Sequence, residues 1–317
     1  MNLLVTGSSG FIGFHLSRKL LSQSHQVFGI DNHNDYYDVN LKLDRKKELI
    51  KHKNFNFIEC DLTNKIHLEN VFNEFEPEIV INLAAQAGVR NSSLIANNYL
   101  DSNIIGFLNL IELSKKYNIK KFIYASSSSV YASSKQIPFS EQEENLEPIS
   151  LYGKTKLANE RIVELISKTE EIQFIGLRFF TVYGPHGRPD MAYYKFAEKI
   201  KKNETLTIYN SGKMKRDMTH IDDISDGIIS CIDKSNFSSK HEIFNLGNSN
   251  PVGTMELLEL IEQHYGKKAN MTFENSSNEV KVTFADITKS FSLLNFKPKI
   301  KINQGMKEFL NWYDKNF

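Results

Sequence analysis

Tyr152 and Lys156 stand four positions apart in "SLYGKTK", downstream of the serine-rich stretch "YASSSSVY". On a helix that spacing puts both side chains on one face. A free tyrosine has a pKa of roughly 10 and is a poor base near neutrality. A lysine ammonium one turn away favours the phenolate and lowers that pKa. A serine hydroxyl, here Ser127, can share the proton in transit. The chemistry on offer is proton transfer at a hydroxyl group. A Tyr-x-x-x-Lys pair alone is common on helix surfaces, so its meaning depends on what the rest of the chain sets opposite it.

A second group of residues supplies that partner. The first apolar run leads into "TGSSGFIGFHL", with Gly7, Gly10 and Gly13 at a strand-to-helix turn. Gly7 permits the tight turn, Gly10 lets the backbone approach a pyrophosphate, and Gly13 lets the helix pack closely on the sheet. The helix N-terminus then offers free N–H groups to phosphate. The next run, "VFGIDN", ends in Asp31, about 20 residues beyond the glycines. A carboxylate there accepts hydrogen bonds from the adenosine ribose and repels a 2′-phosphate, which favours NAD over NADP. Asp61, in "CDL", can meet the adenine, and it reads equally as a turn residue or helix cap. A positive nicotinamide near Tyr152 would favour its phenolate further.

These residues need a rigid scaffold. Apolar runs rich in β-branched and aromatic residues lie at Asn2–Thr6, Gln26–Ile30, Phe55–Cys60, Glu78–Ala84, Lys121–Ser126 and Gln173–Arg178, with amphipathic stretches between them. That alternation predicts βαβ units around a buried parallel sheet, hence an α/β doubly wound (Rossmann) fold. After Arg178 the rhythm breaks, and Glu242–Asn248 reads as one more core strand. The expected division is residues 1–178 plus about 217–248 as an NAD-binding unit. The other unit, about 179–216 plus 249–317, is a smaller C-terminal α/β substrate domain, with ligands bound where the two meet.

Bulk composition excludes several classes. The chain has 317 residues, 40% hydrophobic and 24% charged, as in ordinary globular proteins. Its 39 basic and 38 acidic residues nearly cancel, leaving no electrostatic footprint for nucleic acid or an anionic membrane. Cys60 and Cys231 lack paired spacing and read as cytosolic free thiols. The scattered histidines predict no metal site. No stretch has the length and apolarity of a membrane span, and the opening "MNLLVTG" lacks the features of a signal peptide. A cytoplasmic protein is expected.

The order TGxxGxxG, acidic residue after the second strand, serine, then YxxxK resembles an extended short-chain dehydrogenase/reductase over nearly the whole chain. The resemblance implies a tightly bound NAD, a nucleotide-sugar substrate, and a homodimer formed through helices containing Ser102–Tyr117 and Tyr152–Thr169. It assigns Tyr152 as acid/base, Ser127 as its hydrogen-bond partner and Lys156 to the nicotinamide ribose. It also places Phe11, Ile12, Asn32, Leu62, Ala84 and Ala85 around the cofactor.

Relatives that dehydrate or decarboxylate sugars carry carboxylates just after the serine; here Ser128 and Ser129 follow. That points to 4-epimerisation, with Tyr152 taking the 4-OH proton and the keto sugar turning over in the site. The stretches "DNHNDYYDVNLKLDR", "INLAAQAGVR", "GLRFFTVYGPHGRPDMAYYKF" and "YNSGKMKRDMTHIDDI" are similar to the UDP-glucuronate 4-epimerase group. By position, Thr181 and Arg188 resemble the pair that holds the sugar carboxylate, with the glycines and prolines of the turn fixing the arginine fork. Arg216 would meet the pyrophosphate, and Arg90 lies in a substrate-side loop. Backbone bonding for Thr181, and structural salt bridges for Arg90 and Arg216, are the alternatives. Two departures stand out: Asn91 replaces a usual tyrosine, and "SSNEV" (residues 276–280) replaces a Pro-Gly-Asp-Val element. Competing readings are a 4-epimerase of a neutral or N-acetylated UDP-sugar, a dehydratase or decarboxylase, and an NAD-binding redox sensor without turnover.

Overall fold

The computed structural model describes residues 1–88, 95–234, 237–276 and 280–317. Seven strands form a wholly parallel sheet: β1 (Asn2–Thr6), β2 (Gln26–Asp31), β3 (Phe55–Glu59), β4 (Ile79–Asn82), β5 (Lys121–Ser127), β6 (Gln173–Phe179) and, from late in the chain, His241–Leu246. Three short strands precede that last one and two follow it: β7 (Thr181–Tyr183), β8 (Leu206–Tyr209), β9 (Lys215–His220), then β10 (His241–Leu246), β11 (Pro251–Gly253) and β12 (Met271–Glu274). The spatial order is β10-β6-β5-β4-β1-β2-β3. The chain therefore builds outward to one side from β1 and to the other from β4. The gap between their carboxyl ends is the switch point where doubly wound sheets bind ligands.

Burial on both faces explains the near-continuous apolar strands. Along β1, Leu3 and Val5 pack against helices Phe11–Ser22 and Ile221–Asp233 through Phe14, Leu20, Ile224 and Ile228. Leu4 points the other way, with Val80, Phe122 and Tyr124, toward helices Lys65–Phe75 and Gly106–Lys116 through Leu68, Phe72, Phe107 and Leu110. A third core, with Tyr193, Leu258, Phe309 and Tyr313, lies among helices Ala192–Lys201, Thr254–Tyr265 and Ile302–Asn316. The sheets β11-β9-β7 and β12-β8 belong to this part of the chain.

One buried ion pair fixes the helix Leu151–Ile166 to the sheet. Arg178 on β6 donates from Nε to Glu160 Oε1 at 2.9 Å and from a terminal nitrogen to Oε2 at 2.7 Å, with both side chains 3% exposed. The remaining nitrogen donates to the Tyr131 hydroxyl at 2.6 Å, which in turn donates to Asn245 Oδ1 at 2.9 Å on β10. Ser126 also donates to Glu160. Removing one partner of such a pair strands the other charge in a low-dielectric site. Glu160→Ala should lower unfolding free energy by about 3–5 kcal/mol in urea titration. Glu48→Ala, which breaks the exposed 3.3 Å pair with Arg18, should cost under about 1 kcal/mol.

Candidate active site

The glycine turn fits the end of β1 for steric reasons. Gly7 has φ +68°, and a Cβ there would sit 2.8 Å from the Ala84 backbone nitrogen. A Cβ on Gly13 would lie 2.1 Å from the Gly7 carbonyl oxygen, so helix and turn touch backbone to backbone. The helix Phe11–Ser22 starts at Gly10 with no side-chain cap and no acidic residue in its first turn. Its leading N–H groups are left for an anion. Asp31 closes the turn: its Oδ2 accepts from Ser9 N at 3.1 Å and its Oδ1 from His33 N at 2.9 Å. Asn32 donates to Asp61 Oδ2 at 2.6 Å, while Thr63 donates twice to the other oxygen. Burial opposes a charge on Asp61, yet these hydrogen bonds hold its carboxyl below the ordinary value. Asp61 thus makes a turn and borders the cleft at once. Phe11, Ile12, Leu62, Ala84 and Ala85 line the same end. Uncapped N–H groups beside an acidic strand end fit a dinucleotide.

Across the cleft, β5 ends at Ser127, whose Oγ accepts from Ser129 N at 3.1 Å. The spacing of Tyr152 and Lys156 does put them together: the Lys156 Nζ is 5.9 Å from the Tyr152 ring centre. Its ammonium donates to the Ala125 carbonyl at 2.8 Å, and burial pushes its pKa down to about 8 against the pull of Glu160. Burial raises the Tyr152 pKa; the charge of Arg188 and then the Ser127 hydrogen bond oppose that rise. Arg188 thus adds a cation opposing burial at Tyr152, while Lys156 stands on the same helix face where the spacing expects it.

Sequence periodicity missed a deformation in the neighbouring helix. The expected helix from Ser102 begins earlier, at Ala96, and opens into a π-helical turn at Asp101–Ile105 before Gly106–Lys116. Inside that turn Asn103 accepts from Gln86 N at 2.9 Å, then donates to Gln86 O at 3.1 Å and to Thr155 Oγ1 at 3.0 Å. Thr155 lies between Tyr152 and Lys156, so Asn103 links the catalytic helix to the loop after β4. Tyr99 meets Tyr152 edge to face at 6.3 Å and donates to the Ala87 and Gly88 carbonyls.

The turn carrying Arg188 is anchored to the cofactor half. Gly184 has φ +139° and His186 φ +57°. Burial lowers the His15 pKa to about 3, so its ring is neutral, and Nε2–H donates to the Pro185 carbonyl at 2.9 Å. Arg45, 1% exposed, donates to Ser9 O at 3.0 Å, the Tyr37 hydroxyl at 2.8 Å and His186 O at 2.8 Å. Among the described residues it has no carboxylate partner. Arg188 itself is held by Asp190: Nε donates to Oδ1 at 2.9 Å and a terminal nitrogen to Oδ2 at 2.6 Å. The expectation that glycines and prolines fix its fork is corrected: they shape the turn, and a carboxylate two residues on aims the guanidinium. That Arg-x-Asp spacing was visible in the sequence. Arg45 and Asn103 carried no local signal, because most of their partners are backbone or hydroxyl groups brought close only by the fold.

Thr181 opens β7 and, with Ser128, Arg188 and Arg216, lines the same cleft of about 1000 Å³ as the glycine turn and Tyr152. Arg216 donates to the carbonyls of Lys215 at 3.0 Å and Val280 at 2.7 Å. The departing segment thus reaches Arg216 through Val280, while Glu279, Asn91 and the expected substrate-side Arg90 lie outside the described residues. A group of candidate metal ligands, His220, Asp222 and Glu308, comes together among residues that do not line this cleft, with the His220 ring beside Gly184. There His220 caps the helix Ile221–Asp233, Nδ1 accepting from Asp222 N at 3.3 Å.

A parallel sheet with a phosphate-ready turn, an acidic second-strand end and a Ser-Tyr-Lys group in one cleft defines a dinucleotide-dependent enzyme of the Rossmann class. Residues 3–247 match the NAD dependent epimerase/dehydratase family, and the chain belongs to it. Among its relatives, the UDP-glucuronate 4-epimerase of Thermodesulfobacterium geofontis is 41% identical, covering 99% of this chain and 96% of that protein. The fold is similar to the crystal structure of UDP-glucuronic acid 4-epimerase from Bacillus cereus in complex with UDP-glucuronic acid and NAD, at 33% identity, TM-score 0.94 and full coverage of both chains. It is also similar to the UDP-glucose 4-epimerase of Thermotoga maritima, at 30% identity, TM-score 0.88 and 99% coverage of each chain.

Arg45→Ala removes charge-assisted hydrogen bonds that join the two halves of the cleft. It should lower unfolding free energy by about 2–4 kcal/mol in denaturant titration. Arg45→Lys should recover only part of that loss, because an ammonium cannot reach three separated acceptors in one plane.

Proposed function

We propose that this protein is an NAD-dependent UDP-sugar 4-epimerase that converts UDP-glucuronate to UDP-galacturonate through a transient 4-keto sugar. The observation that carries the reading is the position of Arg188: it lines the cleft and is the cation that most counters burial at Tyr152. In a glucuronosyl group the carboxylate sits on C5, one bond from C4. An arginine that reaches both the acid and the catalytic hydroxyl suits that substrate and no neutral sugar equally well. Thr181 adds a hydroxyl on the same wall.

NAD, when bound by Asp31 and the glycine turn, supplies a reversible hydride acceptor for C4. Tyr152 takes the 4-OH proton and returns it; Ser127 shares that proton, and Lys156 holds the nicotinamide ribose. Asn32, Asp61, Leu62, Ala84, Ala85, Phe11 and Ile12 enclose the dinucleotide, while Arg216 meets the pyrophosphate. No carboxylate follows Ser127, which supports redox at one carbon over dehydration. The same reading divides the chain into an NAD-binding unit of residues 1–178 plus about 217–248 and a nucleotide-sugar unit of about 179–216 plus 249–317. The return of β10 to the large sheet supports that division, while β9, paired with β7 and β11, straddles the boundary at 217.

We further infer a homodimer through the helices around Gly106–Lys116 and Leu151–Ile166. Leu100, Ile105 and Leu165 are exposed along them, as a bundle face would need. A monomer by light scattering at micromolar concentration would remove that part. No helix of the described residues is long and apolar enough to cross a membrane. Cys60 and Cys231 are unpaired and buried, which supports work in a reducing cytoplasm. The UDP-galacturonate formed would feed galacturonate-containing polysaccharide synthesis.

The decisive experiment is incubation of the purified protein with UDP-glucuronate and no added cofactor, followed by NMR at C4. UDP-galacturonate should form, and Tyr152→Phe should lower kcat by about 10²–10⁴-fold. No product even with added NAD would overturn the reading. Arg188→Ala should weaken UDP-glucuronate binding far more than UDP-glucose binding, measured by calorimetry. Losing that cation also raises the Tyr152 pKa. The phenolate then forms at higher pH, so the acidic limb of residual kcat against pH moves upward.

A further inference from the structure

An arginine can meet a carboxylate along its side edge, through Nε and one terminal nitrogen, or at its end, through both terminal nitrogens. In Arg188 the side edge is taken. Asp190 accepts from Nε at 2.9 Å and from a terminal nitrogen at 2.6 Å. Pro189 stands between the two and restricts the backbone that joins them. The Tyr36 hydroxyl donates to Asp190 Oδ2 at 3.4 Å, and the Tyr36 ring lies 6.0 Å from the Arg188 guanidinium carbon. A Cβ on Gly88 would fall 2.0 Å from the Tyr36 hydroxyl, so Tyr36 has little room to withdraw. Both Asp190 and Tyr36 line the cleft.

Two consequences follow from charge and geometry. The end edge of Arg188 is what remains for an anionic substrate, so the angle at which a sugar acid is held is set by Asp190. The Arg188–Asp190 pair is also neutral as a unit. A sugar carboxylate entering it meets an attractive guanidinium and, just behind, a repulsive carboxylate.

We propose that Asp190 is a positioning and specificity residue: it presents Arg188 end-on to the substrate carboxylate and restrains how tightly that acid is bound. The inference rests on the sugar-acid reading above. Restrained ground-state binding is useful because affinity spent equally on substrate and transition state does not raise kcat. Orientation is useful because the 4-OH must meet Tyr152 in one pose.

The test compares wild type, Asp190→Asn and Asp190→Glu, reading kcat and KM for UDP-glucuronate together with calorimetric binding of UDP-glucuronate and UDP-glucose. Asp190→Asn keeps the shape and removes the charge. Its affinity for UDP-glucuronate should rise about tenfold, its kcat should fall about tenfold, and its UDP-glucose affinity should stay unchanged. Asp190→Glu keeps the charge but displaces it, so acid affinity should stay near wild type while kcat falls. A merely structural Asp190 would instead lower the thermal midpoint and weaken both sugars alike, which overturns the proposal. Wild-type behaviour of both variants overturns it as well. If wild type itself binds UDP-glucuronate no better than UDP-glucose, the sugar-acid reading fails. If wild type prefers the acid and Asp190→Asn does not change that preference, the role of Asp190 alone fails.

Discussion

The site depends on a buried cation that meets no carboxylate among the described residues. Arg45 donates to the carbonyls of Ser9 in the glycine turn and His186 in the Arg188 turn, two segments separated by most of the NAD-binding sheet in sequence. Backbone carbonyls supply partial negative charge at fixed positions, and a planar guanidinium can address several of them at once. The distance between the dinucleotide end and the sugar end is thereby set by one rigid group. His15 adds a second tie from the cofactor helix to Pro185. Because burial keeps His15 and His186 neutral, with pKa values near 3 and 4, that joint does not titrate across the physiological range.

Electrostatics then connect the two chemical tasks. Burial drives Tyr152 away from the phenolate, and Arg188 draws it back. The same guanidinium is already shared with Asp190. The proton affinity of the tyrosine is thus coupled to the charge of the Arg188–Asp190 pair.

Much of this architecture is legible in the order of the amino acids alone. The seven core strands match the apolar runs to within a few residues, because a sheet buried on both faces leaves continuous hydrophobic segments that turn residues interrupt. Every expected site residue within the described part of the chain lines one cleft, since the glycine turn, Asp31 and Ser127 all stand at the carboxyl ends of strands in one parallel sheet. What stays hidden is contact that local patterns do not encode. Arg45 bonds to carbonyls, which every residue possesses. Asn103 acts from a widened turn that breaks the helical period. Asp190 is in plain view, yet the turn suggests glycine and proline stiffness, whereas side-chain charge does the aiming.

The π-helical turn at Asp101–Ile105 also bears on how this chain can vary. It accommodates an extra residue inside a helix, turning Asn103 inward while Leu100 and Ile105 face out. Deleting a single residue there would let the helix regularise while the segments on either side keep their facing, because the widened turn is where the extra residue is absorbed. The outward face with Leu100 and Ile105 would survive, but Asn103 would lose its inward position against Gln86 and Thr155. A shortened helix would therefore still fold and would lose its tie to the helix Leu151–Ile166.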